Sequence, residues 1–154
     1  MPEAESDGAQ EKLIELVKSG HLAQARALCE ALGIPLDLSK ADLSQAKLSG
    51  ADLSHVDLRG ANLWEVDLSK ATLRGADLRE TNLGGANLRE ADLREANLTG
   101  AYLRYASLTR AVLRAANLRH TDFIYVSLFG ANLSRADLYG AKLIGADIRE
   151  ASLR

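Results

Sequence analysis

From Leu36 to Arg154 the chain repeats one five-residue phrase, and the register never slips. ADLRE, ANLRE and ANLTG are samples of it. The phrase centres stand at 38, 43, 48 and onward in fives to 153. That makes 24 centres, of which 22 are Leu, the exceptions being Phe123 and Ile148. Two residues before each centre stands Ala, except at Leu36, Val56, Val66, Thr81, Thr121 and Val126. The place between these two is Asp or Asn in most phrases, as at Asp42, Asn62, Asp92 and Asn132. The last two places of the phrase vary.

A period of five excludes the ordinary elements. On an α-helix a step of five turns the side chain roughly 140° beyond a full revolution, which scatters the leucines around the cylinder. In a straight strand side chains alternate, so an odd step sends successive leucines to opposite faces. A chain that turns a corner once per phrase keeps every Leu inside. Ala and Leu, two apart, then point inward together and the Asp or Asn between them points out. The last two residues form the corner, where Gly50, Gly60, Gly75 and Gly85 supply backbone angles that other residues resist. Asp and Asn suit this neighbourhood because their side chains bond nearby backbone N–H groups.

The tandem A-[DN]-L-x-x pattern over residues 36–154 resembles the pentapeptide-repeat family. The resemblance implies an all-β solenoid, a right-handed quadrilateral β-helix with four phrases to the coil. Four per coil is the family's number; the period of five does not supply it. With it, 24 phrases make about six coils in a rod roughly 25–30 Å long. Ala, Asp, Asn and Gly are poor strand formers, so stacked leucines must hold the coils together, each buried Leu contributing about 1.5–3 kcal/mol against exposure.

Three segments follow. Residues 1–8 are acidic and small, and read as a disordered tail. Residues 9–34 carry a helical pattern. Asp7 or Gly8 is placed to cap a first helix, with Asp7 and Gln10 in capping-box positions and Leu13, Leu16 and Val17 on one stripe. Ser19 and Gly20 end it. A second helix presents Leu22, Ala25, Leu28, Cys29 and Leu32 and stops at Gly33 and Pro35. This hairpin reads as a cap on the first coil of the rod over 35–154, because an open solenoid end exposes apolar surface and unpaired backbone. Before Pro35 only Lys12, Lys18 and Arg26 oppose six acids, which disfavours a nucleic-acid-reading helix pair.

The chain carries no pattern for catalysis. His21, His55 and His120 stand apart. On a twenty-residue coil His55 aligns with Gly75 and Glu95, and His120 with Gly100 and Gly140, neither of which is a ligand set. No phosphate-cradling glycine loop, nucleophile elbow or paired-cysteine motif appears. We expect no enzyme, no cofactor and no metal. A single Cys, with neither a leader peptide pattern nor a long apolar run, gives a cytoplasmic expectation and no membrane partner.

Function is then expected on the outward positions. One column, taken at every fourth phrase, reads Ser54, Arg74, Arg94, Arg114, Ser134, Arg154, a basic stripe that Asp92 and Glu95 partly neutralise. It reads as a solvated face. A second column reads Ser44, Trp64, Gly84, Arg104, Ile124, Ile144, with Tyr102, Tyr105 and Tyr125 beside it. Apolar groups crowding one outer face mark an interaction site, and Trp, Tyr and Arg are enriched in binding hot spots. Trp64, Tyr102, Arg104, Tyr105, Ile124, Tyr125 and Ile144 are therefore the candidate protein-binding residues of a non-catalytic scaffold whose partner is unidentified.

The alternative comes from the resemblance. One branch of the family mimics a DNA duplex and occupies type II topoisomerases such as DNA gyrase. Residues 35–154 hold 16 Lys and Arg against 15 Asp and Glu, not the strongly negative surface that mimicry requires. The C-terminal helix usual in the mimics has no counterpart either, since the phrase pattern continues to Arg154. Near-neutral charge also disfavours direct nucleic-acid binding. Finally, Phe129, Leu138, Leu143, Ile148 and Leu153 in the last coils form an apolar end, which predicts a homodimer through the C-terminal coils.

Overall fold

The computed structural model describes the backbone from residue 3 to residue 154 and the side chains from residue 8 onward. From Asp37 to Ser152 single-residue parallel bridges join positions 20 apart without exception: Asp37 to Asp57, Asp42 to Asn62, Lys47 to Asp67, Asp52 to Thr72, and so on to Asn132 and Ser152. The chain therefore closes one circuit every four phrases. We number the four sides by their first phrase, centred on Leu38, Leu43, Leu48 and Leu53 for sides 1 to 4.

From Ala41 to Gly130 three backbone bonds per phrase tie each circuit to the next. Leu43 N–H donates to Asn62 C=O (2.8 Å), Gln45 N–H to Trp64 C=O (2.8 Å), and Asn62 N–H back to Ala41 C=O (2.9 Å). The ladder runs along the rod axis, so the sides present side chains and no strand edge. Inside, all 20 centres from Leu38 to Leu133 are at most 2% exposed, with the Ala column beside them. A chain of weak strand formers holds this shape because each Leu lies between the Leu of the circuit below and the Leu above.

The Asp or Asn of the phrase has a uniform task. At all 16 such positions its Oδ1 accepts the backbone N–H two residues on, from Ser39 on Asp37 (2.8 Å) to Arg149 on Asp147 (3.2 Å). This satisfies the donor at the start of the corner. The corner then closes with a turn bond, as in Ala41 N–H to Leu38 C=O (3.2 Å). Every corner residue from Lys40 to Glu150 has positive φ, and 15 of these 23 are not glycine. Positive φ alone thus does not require glycine at the corner. The ladder holds Lys, Glu, His and Tyr in the left-handed region against a steric cost of about 1–2 kcal/mol each.

The helices α1 (Glu3–Lys18) and α2 (Leu22–Leu32) form the expected hairpin. The start of α1 differs from the expectation. Of the tail read over 1–8, residues 1 and 2 lie outside the described residues, and from Glu3 the backbone is helical. Glu and Ala are strong helix formers, so a short acidic stretch that reads as disorder also suits a first turn. The backbone of Asp7 and Gly8 lies inside α1, so neither caps it. Gln10 has a different task from a capping box: its Nε2 donates to Asp37 C=O (2.6 Å).

The cap meets the first circuit on all four sides. Lys18 reaches Asp42 (3.5 Å), Gly20 lies against the Lys47 carbonyl, and Arg26 Nη2 donates to Asp52 C=O (2.7 Å). The Asp37 and Asp52 carbonyls are the type that a preceding circuit's Leu N–H would satisfy, so Gln10 and Arg26 stand in for a missing coil. Leu13, Val17, Ala25 and Cys29 join the leucine core from above. Gly33, at φ 66°, ends α2 by directing its N–H and that of Ile34 to Glu30 and Cys29.

Candidate functional site

The bridges place the candidate residues together. Trp64, Tyr102, Arg104, Tyr105, Ile124, Tyr125 and Ile144 all lie on side 2 or its following corner, joined through Asn62, Asn82, Tyr102, Asp122 and Lys142. Trp64 is 43% exposed, Tyr105 67%, Tyr102 and Tyr125 56% each and Ile144 67%, while Ile124 is half-buried. Among the described residues before 136, every exposed large apolar or aromatic side chain belongs to this side.

Two close approaches fix the aromatic rings. Trp64 leans onto the next circuit and lies over Gly84, where a methyl group would overlap the indole. Gly84 is buried beneath it. Tyr125 lies over Gly145 in the same way, an added Cβ standing 2.5 Å from the ring. Tyr105 meets Tyr125, the rings stacked at 5.5 Å and 11°. These rings are therefore braced against the next circuit or each other, which lowers the entropy lost when a partner covers them.

A buried charge anchors the centre. Asp122 is 6% exposed; its Oδ1 accepts Ile124 N–H (3.1 Å) and its Oδ2 accepts Arg104 Nε (2.7 Å). Donating to the Asp122 carboxylate raises the Arg104 pKa further, so the guanidinium stays charged. Behind the face Thr81 and Thr121 replace Ala in the core and donate to the Leu78 (2.7 Å) and Leu98 (2.9 Å) carbonyls. The Arg104–Asp122 pair spans almost a full circuit of chain, and only the twenty-residue repeat of the ladder brings the two together.

Elsewhere the candidates spread out. On side 4 Arg94 forks onto Asp92 and Arg74 reaches Glu95 (3.2 Å). In the last circuit Leu138 is half-buried, Leu143 38% exposed, Ile148 48% and Leu153 56%. Phe129 is half-buried with the Arg149 guanidinium 5.9 Å from its ring centre. Burial raises the Cys29 thiol pKa, with Arg26 opposing it. Among the described residues no group of three or more His, Cys, Asp or Glu is placed to hold a metal ion, and no helix is long and apolar enough to cross a membrane.

A leucine-cored β-helix of five-residue phrases, with an Asx bond at the mouth of its corners, defines a class of solenoid. The pentapeptide-repeat family model matches residues 37–75, 71–110, 96–135 and 116–154, and the chain belongs to that family. Its members form right-handed quadrilateral β-helices, in accord with the four-phrase circuit. Among solved structures, QnrB1, a plasmid-mediated fluoroquinolone resistance protein, shares the fold at a TM-score of 0.54 with 20% identity, covering 76% of this chain and 70% of that one. A pentapeptide-repeat protein of the Arabidopsis thaliana thylakoid lumen is 33% identical over 58% of this chain, at a TM-score of 0.47. HetL of the cyanobacterium Nostoc, involved in heterocyst differentiation regulation, is 32% identical over 75%, at 0.32. The matches span 66% and 65% of these last two proteins, just under two thirds of their lengths. No curated protein matches the chain.

Proposed function

We propose that this chain is a non-catalytic protein-interaction scaffold, a rod of about six circuits that docks a protein partner on side 2 between Trp64 and Ile144. The observation that carries this reading is the confinement of exposed aromatic side chains to one side before the last circuit. Rings braced on Gly84, Gly145 and each other, around the Asp122-bonded Arg104, form a pre-organised surface of hot-spot residues. The DNA-like reading, inhibition of a type II topoisomerase, is opposed by 16 Lys and Arg against 15 Asp and Glu in 35–154. Affinity capture from the native host's lysate tests the proposal. Wild type should retain a partner that a Trp64→Ser/Ile124→Ser variant loses, both proteins unfolding at similar denaturant concentration. Equal capture by the two would overturn it.

Self-association through the last circuit is a second reading, favoured by the exposure of Leu143, Ile148 and Leu153. Light scattering across a dilution series should show a dimer that Ile148→Lys/Leu153→Lys dissociates. A monomer at tens of micromolar would rule it out.

A further inference from the structure

The phrase decides what its arginine does. Where Asp stands second and Arg fourth, the guanidinium forks onto its own carboxylate: Arg59 on Asp57, Arg79 on Asp77, Arg94 on Asp92 and Arg149 on Asp147. Where the second residue is not Asp, three arginines turn to a carboxylate elsewhere. Arg104 reaches Asp122 and Arg119 reaches Asp137, each on the next circuit of its own side, and Arg74 reaches Glu95. Arg89, after Asn87, is unpaired too, but the groove that it shares with Arg110 also holds Glu90, a carboxylate in no ion pair among the described residues. Arg114 has neither option. It follows Val112, and the equivalent place on the next circuit holds Asn132. Among the described residues no carboxylate lies within 4.0 Å of Arg114 or of Arg135 at the next circuit's corner.

These two arginines line one groove. It follows side 4, encloses about 280 Å³ and is walled by Arg94, Glu95, Arg114 and Arg135, with Ala115 as the small corner residue. The acids nearby are already engaged: Asp92 by Arg94, Glu95 by Arg74 and Asp137 by Arg119. Two exposed guanidinium groups therefore share a concave space whose one carboxylate, Glu95, is already bonded to Arg74.

We infer that this groove is a second binding site, separate from side 2, and that it takes an acidic segment of a protein partner, one carboxylate held between Arg114 and Arg135. Guanidinium forks match carboxylates in geometry and charge. The ladder runs along the axis, so a segment crossing the side of the rod can be held by side chains alone. Nucleic acid fits less well. The whole chain has a net charge of −2, and the two unpaired cations of this groove fall short of the phosphate contacts that sustain nucleic-acid binding.

A fluorescein-labelled deca-glutamate peptide, followed by anisotropy at low salt, tests the site. Arg114→Gln/Arg135→Gln should weaken binding roughly tenfold, the loss of charge-assisted bonds to one carboxylate. Arg59→Gln/Arg79→Gln removes the same charge from arginines already held by Asp57 and Asp77, and should change affinity less than about twofold on this account. Circular dichroism melts establish that both variants fold. Equal losses in the two variants would reduce the effect to net charge and overturn the site, as would no loss in either. Tighter binding of a single-stranded DNA decamer than of the peptide would also overturn it, in favour of nucleic acid.

Discussion

Sides 2 and 4 stand on the same ladder and differ in almost everything else. Side 4 follows the inner pattern without exception, with Ala at 51, 71, 91, 111, 131 and 151 and Leu at all six centres. Side 2 departs from it at Thr81, Thr121 and Phe123, all fully buried. Outside, side 4 carries arginines on a polar surface, and side 2 carries Trp64, Tyr102, Tyr105, Tyr125 and Ile144. The twenty-residue register is the same on both. The inner positions therefore specify the rod and the outer positions are free to specify a surface. Side 2 is where that freedom has been used most.

If the interior is shared in this way, truncating it should be equally costly on either side. Leu93→Ala on side 4 and Leu103→Ala on side 2, both at fully buried centres, should each lose about 2–5 kcal/mol in chemical denaturation. Losses differing by more than half would break the equivalence. A smaller effect should appear on side 2, where Trp64 lies over Gly84. Gly84→Ala should displace the indole, cost about 1–3 kcal/mol by overpacking and red-shift the Trp64 emission. An unchanged spectrum would show that the ring is not held there.

The mildest effect is with pH, and it is common to the sides: on side 2 Ser44 holds Asp42 below its usual range. On side 4 the side-chain hydrogen bond from Arg94 holds the Asp92 carboxyl below its usual range, and Ser54 does the same for Asp52. On side 3 the fork from Arg149 lowers Asp147 from 3.8 to about 2. A carboxyl depressed on folding stabilises the protein above its unfolded pKa and loses that contribution as pH falls through the folded value. Stability should therefore be level above about pH 4 and fall between about pH 4 and 2, with Asp92→Asn removing part of the fall. Stability that rises over that interval would contradict the assignment.

Much of this was legible in the sequence, for reasons that vary by residue. The inward Leu and Ala columns and the outward Asp follow from the period of five, because only a chain with a corner per phrase buries them together. The circuit of four phrases does not follow from the period, and entered through the family resemblance. Given that number, Trp64, Arg104 and Ile124 fall into one column on paper. Left-handed corners at Lys40, Glu65 or Arg110 could not be read, since nothing in those side chains signals positive φ; the ladder imposes it. The start of α1 was misplaced because Glu and Ala serve a helix and an acidic tail alike. The Arg104–Asp122 pair and the groove at Arg114 and Arg135 needed the placement of neighbouring circuits.

The central claim is that both sides share one twenty-residue register over the length of the rod. In a Cys29→Ala background, spin labels at Ser54→Cys/Ser134→Cys on side 4 and at Ser44→Cys/Ile124→Cys on side 2 each span four circuits. Double electron–electron resonance should give both pairs the same narrow distance, roughly 19 Å at the inter-strand spacing. A broad distribution, or two distances that differ by more than one circuit, would contradict the account.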